Sequence, residues 1–268
     1  QALVGETLSM IYAPFYADGP LTDAVLNRPA APNANTLDAA ILADLPATDA
    51  DWPVRFTPAL CPNCGQDLPA QRDAISLACR HCRTLWRAGS TGLKRMKCRT
   101  LPPPENAQKT AIHIPFWRIT ATTPGLHLNT VADFARQANL PRMIPPAWEQ
   151  TPFHFWTPAM PLPPQTFLRA ACALTLAQPD DAPEDDIPDG PLYPVKLPFR
   201  EAASALKTLL AALLRPKKQI LPQLPQLTIT PTNAQLTYIP FTESPQEYHP
   251  PPYHLCLNKT LLPTPLTT

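Results

Sequence analysis

Glycine is scarce in this chain, with seven in 268 residues. So few, and so scattered, cannot build the glycine-rich loops that cradle phosphates in Walker or dinucleotide-binding folds. Charge is scarce as well: charged residues make up 16% and the net charge is +1. Total charge therefore gives the molecule no pull toward nucleic acid or acidic lipid. No apolar run reaches the roughly 18 residues of a membrane span, and the longest helical candidate, around residues 206–214, is about half that. Six histidines are present (His81, His113, His127, His154, His249, His254), none of them inside a nucleophile or metalloprotease motif. Each reads as a surface or satisfied core histidine.

Proline is what the chain has in excess, 39 residues within a composition that is still 44% hydrophobic. Proline fixes φ and removes a donor, so it ends helices and confines strands to edges or bulges. High apolar content with low charge excludes the composition of a disordered chain. The expected product is an α+β fold of short antiparallel strands, about three helices and proline-rich connections.

The seven cysteines divide unevenly. Four form two Cys-x-x-Cys pairs, Cys61-Pro-Asn-Cys64 followed by Gly65, and Cys79-Arg-His-Cys82, with fourteen residues between them. Each pair can make a tight turn whose N–H groups point at sulfur, so four thiolates converge on one ion. A closed four-thiolate site leaves no open coordination position, which makes it a staple and not a reaction centre. Neither pair continues with histidine as a covalent haem site requires. Cys98, Cys172 and Cys256 are left over, and an odd count with paired Cys-x-x-Cys motifs predicts a reducing compartment, the cytoplasm.

The Cys-Pro-Asn-Cys-Gly arrangement resembles the zinc ribbon, or rubredoxin-like, family over about residues 54–88. The resemblance implies Cys61, Cys64, Cys79 and Cys82 as ligands of one structural zinc. Arg83 stands where the second turn of that family often has glycine, a departure that disfavours an iron-bearing electron carrier.

Around this module the chain reads as follows. Residues 1–53 form a hairpin across Asp18-Gly19 and a short helix over 36–45. Residues 89–110 are a linker, basic and then proline-rich. Residues 111–178 are an α+β unit: a strand over 111–120, a return over 126–128, a helix capped by Asn129, and a helix over 167–176. Residues 179–191 are an acidic loop. Residues 192–268 are a second α+β unit with a strand over 193–197, one long helix over 201–215, a strand pair turning at Thr232-Asn233, and a last strand over 253–257. Five Pro-Phe pairs occur where composition predicts about one, four of them closing apolar extended runs. The simplest expectation is that each proline ends an edge strand while its phenylalanine packs inward.

Two charge clusters interrupt the neutral background. Arg80, Arg83, Arg87, Lys94, Arg95, Lys97 and Arg99 occur with no acid among them, whereas Asp180, Asp181, Glu184, Asp185, Asp186 and Asp189 occur with no base. The acidic cluster lacks the ligand spacing of an EF-hand and reads as a solvated loop. The functional expectation is a non-catalytic, zinc-stabilised scaffold or accessory subunit docking a protein partner through its proline-rich aromatic surface; Trp148, Phe153, Phe155 and Trp156 either anchor that partner or form the wall of a core under the strands. The alternative is a nucleic-acid-binding ribbon using the basic flank, with Trp86 and His81 to stack on bases. A third and weaker reading is electron transfer through iron in the four-thiolate site.

Overall fold

The structure, a computed structural model, describes residues 15–16, 22–23, 28–29, 57–71, 73–89, 92–103, 111–141, 143–179, 187–250, 253–262 and 265. The chain divides into two compact units, Gln1–Phe56 and Thr57–Thr268. In the first, β1 (Phe15–Tyr16), β2 (Thr22–Asp23) and β3 (Arg28–Pro29) form an antiparallel sheet in that order. The expected hairpin across Asp18-Gly19 corresponds to the β1–β2 pairing. The helix expected over 36–45 lies outside the described residues.

The second unit is mixed α+β with mostly antiparallel sheets. Its strands are β4 (Leu77–Cys79), β5 (Thr84–Gly89), β6 (Gly92–Met96), β7 (Cys98–Thr100), β8 (Ala111–Thr122), β9 (Phe155–Pro158), β10 (Thr230–Glu243), β11 (Glu247–His249) and β12 (Leu257–Asn258). Four helices accompany them: α1 (Val131–Gln137), α2 (Pro164–Ala177), α3 (Phe199–Ser204) and α4 (Leu206–Leu213), with a single further turn at Lys217–Ile220. The large sheet runs β12-β11-β10-β8-β9, and β7 joins β10 in parallel; β4, β5 and β6 make a separate antiparallel sheet. No helix among the described residues is long and apolar enough to cross a membrane.

The paired strands β8 and β10 are the centre of the unit, and their sequence explains their position. β8 is buried at every residue from 111 to 117, because both of its faces are covered. Ile112, Ile114 and Phe116 point into one core with Ile239, Phe241, Trp156 and Tyr193. Trp117 and Ile119 point the other way, into a core with Leu236, Tyr238, Phe134, Phe155 and the leucines of α4.

Pro115 and Pro240 lie within these central strands, not at strand ends as the sequence suggested. Their missing N–H groups fall in gaps along the ladder. On the edge of β8 away from β10, His113 donates its N–H to Pro191 O, and Pro115 offers only its carbonyl, to Ala159 N just past the end of β9. Across the sheet, Pro240 sits between the end of β7, where Leu101 N donates to Tyr238 O, and the start of β11, which pairs at Thr242. The inward packing of phenylalanine holds for Phe116, Phe153 and Phe241, which are buried, the first and last with parallel rings 6.3 Å apart, whereas Phe199 opens α3 and is half-buried.

Several expectations need correction. Within the expected linker, Gly92–Met96 and Cys98–Thr100 are strands β6 and β7, because each finds a partner edge, β6 on β5 and β7 on β10. The turn expected at Thr232-Asn233 is a bulge inside the single strand β10, which pairs from Thr230 to Thr242 along the twelve-residue β8. The helix expected over 201–215 breaks at Ala205. There Ser204 Oγ donates to the carbonyl of Glu201, and the Ala205 N–H turns back to Ala202 O. Residues 193–197 form no strand: a single parallel bridge occurs one residue earlier, at Leu192, and Pro194 cannot extend the ladder. Residues 126–128 follow a turn and form no strand. The last strand is Leu257–Asn258, and the cap of α1 is Thr130, reciprocally bonded with Asp133.

The aromatic segment also changes role. Phe153, Phe155 and Trp156 are 3%, 1% and 1% exposed, so of the two placements open to this segment the core one holds and the docking one fails; Trp148 alone is half-buried. The alternation of β9 explains it, since Phe155 and Trp156 enter the two opposite cores of the sheet. Trp156→Ala should therefore cost about 3–5 kcal/mol of unfolding free energy and Trp148→Ala clearly less, measured by urea denaturation. Equal small losses would contradict this placement.

Candidate metal centre

The first cysteine turn closes because Gly65 takes φ +77°, allowing its N–H to donate to Cys61 O at 2.8 Å while Cys61 N donates to Gln66 O. The second turn reaches the same left-handed region with Arg83, at φ +55°. Glycine is absent there, and the side chain that replaces it has a use. Arg83 Nη2 donates to Ile187 O at 3.2 Å and Nη1 lies 3.5 Å from Asp189. Its neighbour Arg80 donates to Gly190 O at 2.8 Å and to Pro188 O.

These turns bring Cys61, Cys64, Cys79 and Cys82 together, with all four sulfurs within 4.8 Å of one another. Cys61 and Cys82 are 3.5 Å apart, Cys64 and Cys79 3.4 Å. Sulfurs 2.3 Å from one tetrahedral ion stand about 3.8 Å apart, so the group fits a metal ion with only slight expansion. Cys61 and Cys79 are buried, Cys64 and Cys82 half-buried. Trp86 and Leu68 cover the cluster.

The electrostatics of the four thiols are split. Burial opposes ionisation at Cys61, yet the backbone at Asn63 and Cys64 with the side chains of Cys82 and Thr84 lowers its pKa to about 6. Burial is likewise outweighed at Cys82, chiefly by Thr84 and Asn63, and the thiol is lowered. At Cys64 the backbone at Gln66 favours the thiolate, but burial and the neighbouring thiols push it up to about 12. Burial also raises Cys79. Two sites ionise readily and two resist, as expected of a cluster whose fourfold negative charge calls for a cation.

Thr84 was invisible to sequence reasoning, having no motif of its own. Trp86 Nε1–H donates to Thr84 Oγ1 at 2.8 Å, which leaves the hydroxyl proton to point at Cys82 Sγ, 3.0 Å away. Cys61 Sγ is 3.8 Å from the same oxygen. Trp86 is thereby removed from the surface, being 8% exposed, and is not available for stacking on bases. Among the other expected residues, His81 is exposed and Cys98 buried against the main core.

The β4–β5–β6 sheet has two faces with different duties. Cys79 and Trp86 face the sulfurs, whereas Ala78 and Leu85 face the main core beside Cys98. Ile75 N adds a bond to Val195 O at 2.9 Å. Of the basic cluster, Arg80 and Arg83 are engaged with residues 187–190, and the rest of the acidic stretch, 180–186, lies outside the described residues. Arg87, Lys94, Arg95 and Lys97 are exposed. Ile187 is 1% exposed while the Asp189 side chain is 87% exposed, so the end of the acidic stretch is anchored to the cysteine module.

Comparison with family models, with curated proteins and with solved structures found no match to this chain. What defines the site is its own donor set.

Two predictions follow from this neighbourhood. Thr84→Val removes the outer-shell donor and should weaken metal affinity about 10–100-fold in competition with a chromophoric chelator, while Thr84→Ser stays near wild type. Unchanged affinity in the valine variant would remove Thr84 from the site. His113, 5% exposed, has its pKa lowered to about 4 from 6.5, by burial first and by the charge of Arg80. A depressed histidine contributes stability that is full above pH 6.5 and is lost as pH falls toward 4, about 3 kcal/mol in all. Urea titrations across that window should show the wild type losing about that much more than His113→Gln, since metal release by acid is common to both proteins. Parallel pH profiles would contradict it.

Proposed function

We propose that this chain is a non-catalytic, zinc-stapled scaffold or accessory protein that meets a polyanionic partner through the basic hairpin β5–β6. Zinc is the ion favoured by four thiolates in a closed tetrahedral arrangement, and its role is to hold the turns together. The four-cysteine module is then a zinc ribbon, as its resemblance implies. Iron, the electron-transfer reading, would announce itself by intense visible thiolate absorption at full occupancy in natively isolated protein.

The observation that carries the surface is the register of the hairpin. Arg87 stands directly opposite Lys94, and Arg95 opposite Trp86. Like charges facing one another across an antiparallel pair destabilise the sheet, so a bare Arg87–Lys94 pair costs stability that an anion would return. Beside it, Arg83, Arg95 and Lys97 line a hollow of about 170 Å³ with Thr84 and Met96. Rigid attachment to the main core means little ordering is needed on binding.

Within this reading the phosphate backbone of nucleic acid is the favoured polyanion, because cations on a two-stranded ribbon match a regular run of phosphates better than a single carboxylate. Arg87→Glu combined with Lys94→Glu should weaken binding to single-stranded RNA or DNA at least tenfold at low salt, with zinc content unchanged. Wild-type affinity should fall steeply as salt is raised. If the wild type shows no salt-dependent binding, the nucleic-acid reading fails. The scaffold reading then requires that the same double variant lose an acidic protein that co-purifies with the wild type.

A further inference from the structure

A second group of metal-ligating side chains lies far along the chain from the four-cysteine cluster, at the outer edge of the large sheet. Strand β11 places Glu247 and His249 on one face, two residues apart, while Tyr248 between them is buried on the other. The returning chain pairs Tyr248 with Leu257, which brings Cys256, the preceding residue, across from His249 on the same face as the two ligands. The hairpin thus presents a carboxylate, an imidazole and a thiol together.

Their geometry is convergent. His249 Nδ1 is 3.1 Å from Cys256 Sγ, His249 Nε2 is 3.7 Å from Glu247 Oε2, and ligand atoms of all three residues lie within 4.8 Å of one another. A proton relay through the imidazole would set thiol and carboxylate apart by the ring plus two hydrogen bonds. Here they do lie nearest opposite nitrogens, but with ligand atoms of all three residues within 4.8 Å of one another they are closer than such a relay would set them. A sulfur and a nitrogen bound to the same tetrahedral zinc stand about 3.5 Å apart, so the Cys256–His249 pair needs only to open slightly.

We infer that Glu247, His249 and Cys256 form a second zinc site, open at its fourth position. Thiolate with imidazole excludes the all-oxygen preference of calcium and magnesium, and adding one carboxylate gives the mixed donor set of a borderline cation. All three ligands are half-buried, so the ion can exchange with solvent, unlike one enclosed by Cys61 and Cys79. On binding, the Cys256 thiol gives its proton to solvent, the S–Zn bond forms, and water ligands of the aqueous ion are displaced; one water remains in the open position. Neighbouring groups fit this role. Ser244 Oγ lies 3.4 Å from His249 Nε2 and donates to Glu247 O, fixing the loop that carries the carboxylate. Arg169 Nη2 reaches the Cys256 carbonyl at 3.4 Å, and the ion pair Lys259–Glu243 closes the next position along the hairpin. Sequence alone hides the site, because its ligands follow a strand spacing and a hairpin register in place of a Cys-x-x-Cys motif.

The test is metal stoichiometry on the whole chain. Protein equilibrated with excess zinc, then desalted, should carry two zinc ions per chain by elemental analysis, and a weak chelator should remove one of them. His249→Ala and Cys256→Ser should each hold one zinc, weaken the second affinity about 100-fold or more, and keep the four-cysteine ion and the circular dichroism of the wild type. With cobalt as the probe, the wild type minus His249→Ala difference spectrum should contain a single thiolate-to-cobalt band distinct from that of the four-sulfur site. A wild type that saturates at one zinc, or a second zinc unaffected by either substitution, overturns the proposal. Because wild-type stoichiometry decides it, an unfolded variant does not rescue it.

Discussion

Everything in the second unit depends on one sheet being asked to satisfy two environments at once. Successive residues of a strand point to opposite faces, and β4 and β5 use that alternation without waste. Cys79 and Trp86 look toward the sulfurs, Ala78 and Leu85 toward the apolar core. The cysteine module is therefore a wall of the core and not an appendage. If an ion holds the four sulfurs, its loss frees the turns at Cys61 and Cys79, and with them the placement of Leu85 in the apolar core. Free energies of order 10–16 kcal/mol couple metal binding to folding in modules of this type, which is comparable to the whole stability of a domain. Arg80 and Arg83 complete the attachment by satisfying the carbonyls of residues 187–190.

Proline governs how the rest is connected. A sheet rich in proline survives because its strands meet several short partners along each edge instead of one long one. Pro115 and Pro240 occupy the places where one partner ends and the next begins, so no ladder hydrogen bond is lost. Their phenylalanines, one residue on, face the opposite way and stack in the core. The same stiffness gives α2 its start, with Pro164 at its first position.

The cysteine site was legible in the sequence because its determinants are local. Two short spacings and one glycine specify the turns, and the distance between them only has to be bridgeable. The long apolar run of β8 and the helix over Pro164–Ala177 were legible for a similar reason, since length and periodicity lie within one segment. What escaped depended on distant partners. Nothing near Thr232-Asn233 says that β8 is long enough to hold the strand straight past it. The break at Ala205 comes from one serine hydroxyl competing for a carbonyl, in a stretch with no glycine or proline to mark it. The basic residues after Gly89 looked like linker because β7 joins β10, far along the chain, and β6 pairs with a strand whose own end is exposed. Phe155 and Trp156, flanked by prolines, suited core and exposed surface equally until β9 placed them on two faces of a covered sheet. Thr84 carried no signal at all apart from sitting two residues from both Cys82 and Trp86.

The most direct test of this account is thermal unfolding of residues 57–268 before and after removal of the ion by a strong chelator under reducing conditions, followed by hydrogen exchange at single-residue resolution. The account predicts one cooperative transition that moves down sharply, with protection lost together in β5, in α4 and in the central strands β8 and β10. Loss of protection confined to residues 57–100, with the transition of the large sheet unmoved, would contradict it.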